Sequence, residues 1–293
     1  METKLHVGWI GLGKMGTPMC RRLLNNNIPV AVYDLRATAT KELAKQGATE
    51  CGSVAALSRK CDLVFSMVSD DEALLKVGSM LDPAVTLVDM STVSLSASRQ
   101  VAAGRQADRY LRAPVSGSVS LAESGTLTIY CSGTQRAFAA AQSYLCHLGS
   151  RVIFCGESEE ARAIKLAINI IAGCVPLLVG EAIALATRLG VSREMIVDAM
   201  AESAVSSPLI QYKADMLKSL GWAATSASLD TVAKDAGLAV REGAAVDLAL
   251  PLSSMVRQVS ASFQQAGMGQ LDFFALSQWA DSGLPLHDRM HKP

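Results

Sequence analysis

The first half of the chain alternates short apolar runs with amphipathic stretches. Residues 7–10 form an apolar run that ends at glycine, and residues 15–25 read as a helix. Residues 30–33 are the next strand and 37–46 the next helix. Further strands fall at 63–68, 86–90, 110–113 and 127–131. Thr134 is an N-cap for a helix over 135–148, and 152–154 is a last strand. Such alternation predicts a mostly parallel sheet wrapped by helices.

After about Glu160 the period changes, and apolar residues recur at three and four. Ser192 caps a helix running through Ala201, and others follow at 209–220, 229–244, 251–266 and 273–279. Pro251 suits a first helical turn. The second half is therefore predicted all-helical. Residues 166–187 are apolar enough to suggest a membrane span, but Asn169, Pro176 and Glu181 interrupt them. We read this stretch as a buried helix joining two domains, 1–160 and 161–293.

Composition narrows the class. Half of the 293 residues are hydrophobic, and 27 basic side chains balance 27 acidic ones, so neither nucleic acid nor an anionic membrane is an expected partner. The seven cysteines show no C-x-x-C spacing and read as reduced, mostly buried small hydrophobes. No zinc-ligand cluster is visible; His287 and His291 stand four apart in a terminal tail. The opening METKLHVGWIGLG has no long apolar core typical of a signal peptide, so a cytoplasmic protein is expected.

Gly11-Leu12-Gly13-Lys14-Met15-Gly16 fits G-x-G-x-x-G, after a strand and at the start of a helix. That context calls for glycine at a tight turn, at a close approach to pyrophosphate and at a helix–sheet contact. The helix N-terminus offers free N–H groups to phosphate. Asp34 ends the second strand, where it can accept ribose hydroxyls and repel a 2′-phosphate, favouring NAD over NADP. Arg36 can pair with a 2′-phosphate, which leaves NADP open.

The segment from Gly8 to Met19 resembles the opening of the β-hydroxyacid dehydrogenases. Three later stretches match in order: Asp89-Met90-Ser91-Thr92; Ala113-Pro114-Val115-Ser116-Gly117, with Gly125-Thr126-Leu127 behind it; and Lys165 with Asn169. Lys234-Asp235 resembles the family's lysine–aspartate pair in the helical domain. The resemblance spans nearly the whole chain. It implies a Rossmann domain followed by an all-α domain on a long interdomain helix. It also implies hydride transfer between nicotinamide and a small 3-hydroxy acid or semialdehyde acid. Lys165 is then the catalytic acid/base with Asn169 beside it, and Ser116, Gly117, Thr92 and Lys234 bind substrate. The cofactor residues are Gly11, Leu12, Gly13, Met15, Gly16, Asp34, Met67 and Val68, with Thr92 and Lys234.

The residues themselves are compatible with these roles. Lys165 and Asn169, four apart, share a helix face. Apolar surroundings lower a lysine's pKa towards neutrality. The plainer alternative is a lysine snorkelling from the first helical turn. Three departures from the family bear on the substrate. Ser118 stands where a second glycine is usual, Ile168 where asparagine is common, and Gly156 to Arg162 replaces a glycine-rich approach to the lysine. Glu157, Glu159 and Glu160 are expected near the pocket mouth, where they repel a strongly anionic substrate. Two other functions fit less of the sequence: an imine reductase, whose members generally lack this lysine, and a non-catalytic dinucleotide-binding module. 6-Phosphogluconate dehydrogenase needs a longer helical domain. A homodimer or homotetramer is expected, because one chain can hardly cover so apolar a helix.

Overall fold

The computed structural model describes residues 7–223 and 227–282. It divides into two compact units, Met1–Leu166 and Ala167–Pro293. The His287 and His291 pair lies outside the described residues. Among the described residues, no group of three or more His, Cys, Asp or Glu side chains is arranged to hold a metal ion.

The first unit opens with β1 (Val7–Ile10), α1 (Gly16–Asn25), β2 (Val30–Tyr33), α2 (Ala37–Ala44), β3 (Thr49–Glu50), α3 (Val54–Ser58), β4 (Leu63–Ser66), α4 (Asp71–Met80) and β5 (Thr86–Asp89). It continues with α5 (Leu95–Ala103), β6 (Tyr110–Arg112), β7 (Val115–Ser116), α6 (Val119–Ser124), β8 (Leu127–Ser132), α7 (Gln135–Leu148) and β9 (Gly149–Gly156). The strand order is β3-β2-β1-β4-β5-β6-β8-β7, with β9 paired to β8. Strands β1 to β6 run parallel, β8 runs antiparallel to β6 and β7, and β9 parallels β8. The expected mostly parallel sheet is thus present. Strand order reverses between β1 and β4, and in open α/β sheets the carboxyl ends of such strands form the ligand crevice.

The central strands β1, β2, β4 and β5 are mostly apolar because both faces are covered. Val7, Trp9, Val32, Phe65 and Val88 pack with Met19, Leu23 and Leu145 on one face. Ile10, Ala31, Val64 and Leu87 pack with Leu57, Leu74 and Val101 on the other. Helices α3, α4, α5 and α6 were not anticipated from the pattern. Three of them carry a readable start: Ser53, Asp70 and Ser94 each accept a hydrogen bond from the N–H three residues on.

Helix α8 (Glu160–Arg188) begins in the first unit and continues into the second. The second unit adds α9 (Arg193–Glu202), α10 (Pro208–Ser219), α11 (Leu229–Ala244), α12 (Pro251–Gln265), a 3-10 segment Phe273–Gln278 and α13 (Trp279–Ser282). The helix expected over 273–279 is therefore mostly 3-10, with Asp272 accepting the Phe274 N–H at its start. The core gathers Leu177, Ile183, Val197, Leu217, Val256, Phe263 and Phe274. Within it Lys213 Nζ meets Asp272 Oδ2 at 2.6 Å, both side chains essentially inaccessible.

The burial expected of the apolar helix is partial within one chain. Helix α8 is long and apolar enough to cross a membrane by length and composition, and 44% of its most apolar stretch is buried. Ile171, Leu178 and Leu185 are exposed along it. The described cysteines are all free thiols, and all but Cys146 and Cys155 are buried. Burial pushes the Cys131 thiol up to about 12.

Candidate active site

The glycine turn lies at the carboxyl end of β1. Gly11 has φ +91°, and a Cβ there would lie 2.2 Å from the Met67 carbonyl oxygen. Only glycine lets this turn lie against the end of β4. A Cβ on Gly16 would fall 2.0 Å from the Gly11 oxygen, so the third glycine is needed where α1 packs on the turn. Around Gly13 the space is open within 4 Å, which is the gap a pyrophosphate approach requires of the middle glycine. Met15 precedes α1 without a side-chain cap; the Thr17 N–H is taken by the Gly13 carbonyl at 3.0 Å and Pro18 carries none, so any helix-terminal donation to phosphate falls to the backbone at Gly16. The turn fits a dinucleotide.

Asp34 is engaged on both oxygens. Oδ2 accepts the Leu12 N–H at 2.6 Å and Oδ1 the Arg36 N–H at 2.8 Å. Leu12 itself is buried, and its N–H is taken by that bond. Arg36 folds back, its Nη2 donating to the Leu12 carbonyl at 2.8 Å.

Met67 and Val68 follow β4 and are half-buried, as is Thr92 after β5. The two strand ends are tied together: the Val68 N–H donates to Ser91 Oγ at 2.8 Å, and Ser91 Oγ donates to Asp89 Oδ1 at 2.7 Å. Ser116 ends β7. Gly117 has φ +146° and would drive a Cβ into Leu127, so this turn also needs glycine. Ser118 leads into α6 with its hydroxyl 2.7 Å from that of Ser120.

Lys165 lies half-buried near the start of α8, and Asn169 follows one turn later. Asn169 Nδ2 donates to Asp235 Oδ2 at 2.7 Å, and Asp235 Oδ1 pairs with Lys234 Nζ at 3.1 Å. One carboxylate on α11 thus gathers two of the expected site residues.

One member of the expected acidic rim is withdrawn from it, while Glu157 and Glu160 are exposed. Glu159 is buried, and its Oε1 accepts Arg112 Nε at 2.9 Å and Nη2 at 2.6 Å. Glu160 turns back to accept the Ser158 N–H at 2.7 Å. Buried carboxylates require a partner, and Arg112 supplies it.

Arg162 is not among the residues singled out from the sequence. Its side chain is fully buried and donates to Asp89 Oδ2 at 2.6 Å, the Tyr110 hydroxyl at 2.8 Å and the Ser91 carbonyl at 3.0 Å. Burial favours its neutral form, but Tyr110 and Asp89 outweigh that and hold the guanidinium above its usual pKa. The sequence signal was a Glu–Arg pair three apart entering an otherwise apolar helix.

A doubly wound sheet with this turn and this acid at its switch point defines a protein that binds NAD(P). Residues 6–156 match the family described as the NAD binding domain of 6-phosphogluconate dehydrogenase. Residues 160–280 match the NAD-binding domain of NADP-dependent 3-hydroxyisobutyrate dehydrogenase. The chain is 29% identical to the 2-(hydroxymethyl)glutarate dehydrogenase of Eubacterium barkeri, over 94% of this chain and 95% of that one. Among solved structures, a Mycobacterium tuberculosis 3-hydroxyisobutyrate dehydrogenase with L-serine superposes with TM-score 0.82 at 26% identity, covering 93% and 98% of the two chains. Psf3 in complex with NADP+ and 2-OPP gives TM-score 0.82 at 26% identity, covering 94% and 100%. The chain belongs to the β-hydroxyacid dehydrogenase family of NAD(P)-dependent oxidoreductases.

Proposed function

We propose that the protein is an NAD-preferring dehydrogenase of a small 3-hydroxy acid, or a reductase of the corresponding semialdehyde acid. The observation that carries this reading is Asp235 holding both Asn169 and Lys234, with Lys165 one turn before Asn169 on the same helix. Bound NAD(P) accepts or gives the hydride at the substrate carbon. Lys165 takes the hydroxyl proton in oxidation and returns it in reduction. Asn169, its amide nitrogen committed to Asp235, keeps its amide oxygen to orient Lys165 or the reacting hydroxyl. Ser116 and Gly117 hold the carboxylate, with Thr92 and Lys234 assisting. The glycine turn, with Met67, Val68 and Thr92 at the neighbouring strand ends, holds the cofactor. Asp34 stands where a 2′-phosphate would be repelled, which supports NAD over NADP.

The names of two relatives support the substrate class. 2-(Hydroxymethyl)glutarate and 3-hydroxyisobutyrate both carry the hydroxyl on the carbon β to a carboxylate. With Glu159 neutralised by Arg112, the approach carries less negative charge than the sequence suggested. We read the protein as a cytoplasmic homo-oligomer without nucleic-acid or membrane partners. Ile171, Leu178 and Leu185 recur every seventh residue on α8 and stand exposed, a stripe suited to a second copy.

The test is a spectrophotometric screen of 3-hydroxyisobutyrate, tartronate semialdehyde, succinic semialdehyde and sulfolactaldehyde, each with NAD and NADP forms in parallel. Cyclic imines are included as the competing chemistry. Turnover of a hydroxy or semialdehyde acid supports the reading. Turnover of imines alone, or none with any acid, overturns it.

A further inference from the structure

Four charged side chains are buried together in the first unit: Asp89, Arg112, Glu159 and Arg162. They form a chain of contacts. Arg112 holds Glu159 Oε1, Glu159 Oε2 lies 3.7 Å from Arg162 Nε, and Arg162 holds Asp89 at 2.6 Å. Asp89 Oδ1 also accepts the Ser66 and Ser91 hydroxyls at 2.6 and 2.7 Å. Two positive and two negative charges cancel. Removing four charges from water is unfavourable, and apolar side chains would fill the same space with less desolvation. A planar guanidinium instead fixes direction, because its donors bind several acceptors in one set geometry.

The acceptors of Arg162 show what is being fixed. It leaves the first turn of α8 three residues before Lys165, a spacing that puts both on neighbouring parts of one helix face. Its partners are the side chain ending β5 and the Ser91 carbonyl beside Thr92. Through Ser91 Oγ the same network reaches the Val68 N–H. One side chain therefore ties the turn that carries Lys165 to both loops assigned to the cofactor.

We propose that Arg162 is a positioning residue, clamping the start of α8 so that Lys165 is held at a set distance from the Met67–Val68 and Ser91–Thr92 loops. This rests on the reading of Lys165 as the acid/base.

The test uses Arg162→Met, Arg162→Lys and Tyr110→Phe, the last removing one acceptor while keeping the ion pair. Lysines are reductively methylated with 13C-formaldehyde, and the Lys165 resonance is assigned by its loss in Lys165→Ala. In Arg162→Met the Lys165 resonance is expected to move while that of Lys234 stays. With 3-hydroxyisobutyrate and NAD+, kcat is expected to fall about 10- to 100-fold, as for a misplacement of about 1 Å. KM and NADH affinity should stay within about threefold. Arg162→Lys should recover only part of the rate, and Tyr110→Phe should lose a few-fold. Should Arg162→Met not fold, the other two variants carry the same comparison. An unmoved Lys165 resonance in a folded variant overturns the proposal, as does a loss of NADH affinity in step with kcat. Wild-type turnover in Lys165→Ala would instead overturn the assignment of the acid/base, and a moved resonance would still support the clamp.

Discussion

Replacing Gly11 by alanine tests the dinucleotide turn at the point where the structure leaves least room. The new Cβ would sit 2.2 Å from the Met67 oxygen and 2.9 Å from its carbonyl carbon. An ordinary C···O contact is about 3.3 Å, so the ends of β1 and β4 must part by about 1 Å. The left-handed backbone adds about 1–2 kcal/mol for a non-glycine residue, and overpacking adds about 1–3 kcal/mol. The sum, about 2–5 kcal/mol, is divided between stability and the geometry of the turn. Each 1.4 kcal/mol that falls on cofactor binding raises the NADH Kd about tenfold. Gly47 is the control: it has φ +99° but nothing within 4 Å of its absent Cβ. Gly47→Ala therefore costs about 1–2 kcal/mol of stability with no change in cofactor affinity. NADH fluorescence titration and thermal melting of both variants give the comparison. We expect Gly11→Ala to raise the Kd at least tenfold and Gly47→Ala to leave it alone. A wild-type Kd in Gly11→Ala, with a melting loss equal to the control's, would refute the steric argument.

Lys213→Met strands the buried Asp272 carboxylate, a loss of about 3–5 kcal/mol. Spread over a second unit of about 127 residues with unfolding entropy near 0.27 kcal/mol/K, this lowers Tm by about 11–19 °C if that unit melts alone. Calorimetry checks it, and a drop under about 3 °C would contradict the pairing. Asp34→Ala removes the charge that disfavours a 2′-phosphate and leaves Arg36 in place. The NADPH-to-NADH ratio of kcat/KM should rise at least tenfold, and an unchanged ratio would count against Asp34 as the discriminator. Leu178→Glu places a charge in the exposed stripe of α8 and should convert a wild-type oligomer to monomer in light scattering. A wild-type monomer would remove the oligomer reading.

Some of this architecture was legible in the chain because its signals are local. Thr134, Ser192 and Pro251 mark helix starts that the structure reproduces, since a cap or a proline at the first turn acts within three residues. The same logic was available at Asp70 and Ser94. Helices α4 and α5 bury little, Leu74 and Val77 in one and Ala97, Ser98 and Val101 in the other, so their inward face is faint beside the stronger strands. The antiparallel pairing of β8 with β6 and β7 depends on a turn that no period reveals. The charge network was least legible. Glu159 and Arg112 are 47 residues apart, and Arg162 and Asp89 are 73 apart, so pairing emerges only in the fold. Without it, Glu157, Glu159 and Glu160 read as a repulsive cluster at the pocket mouth, and Glu159 proved to be a buried counter-ion.

The central claim is that Lys165 moves the proton while the rest of the fold holds the cofactor. The most direct measurement compares Lys165→Ala with wild type by NADH titration and by turnover on the best acid from the screen. Loss of a positioned acid/base predicts a fall in kcat of about 10²- to 10⁴-fold, with the NADH Kd within about threefold. Turnover near the wild-type rate in a variant that binds NADH normally would contradict the account.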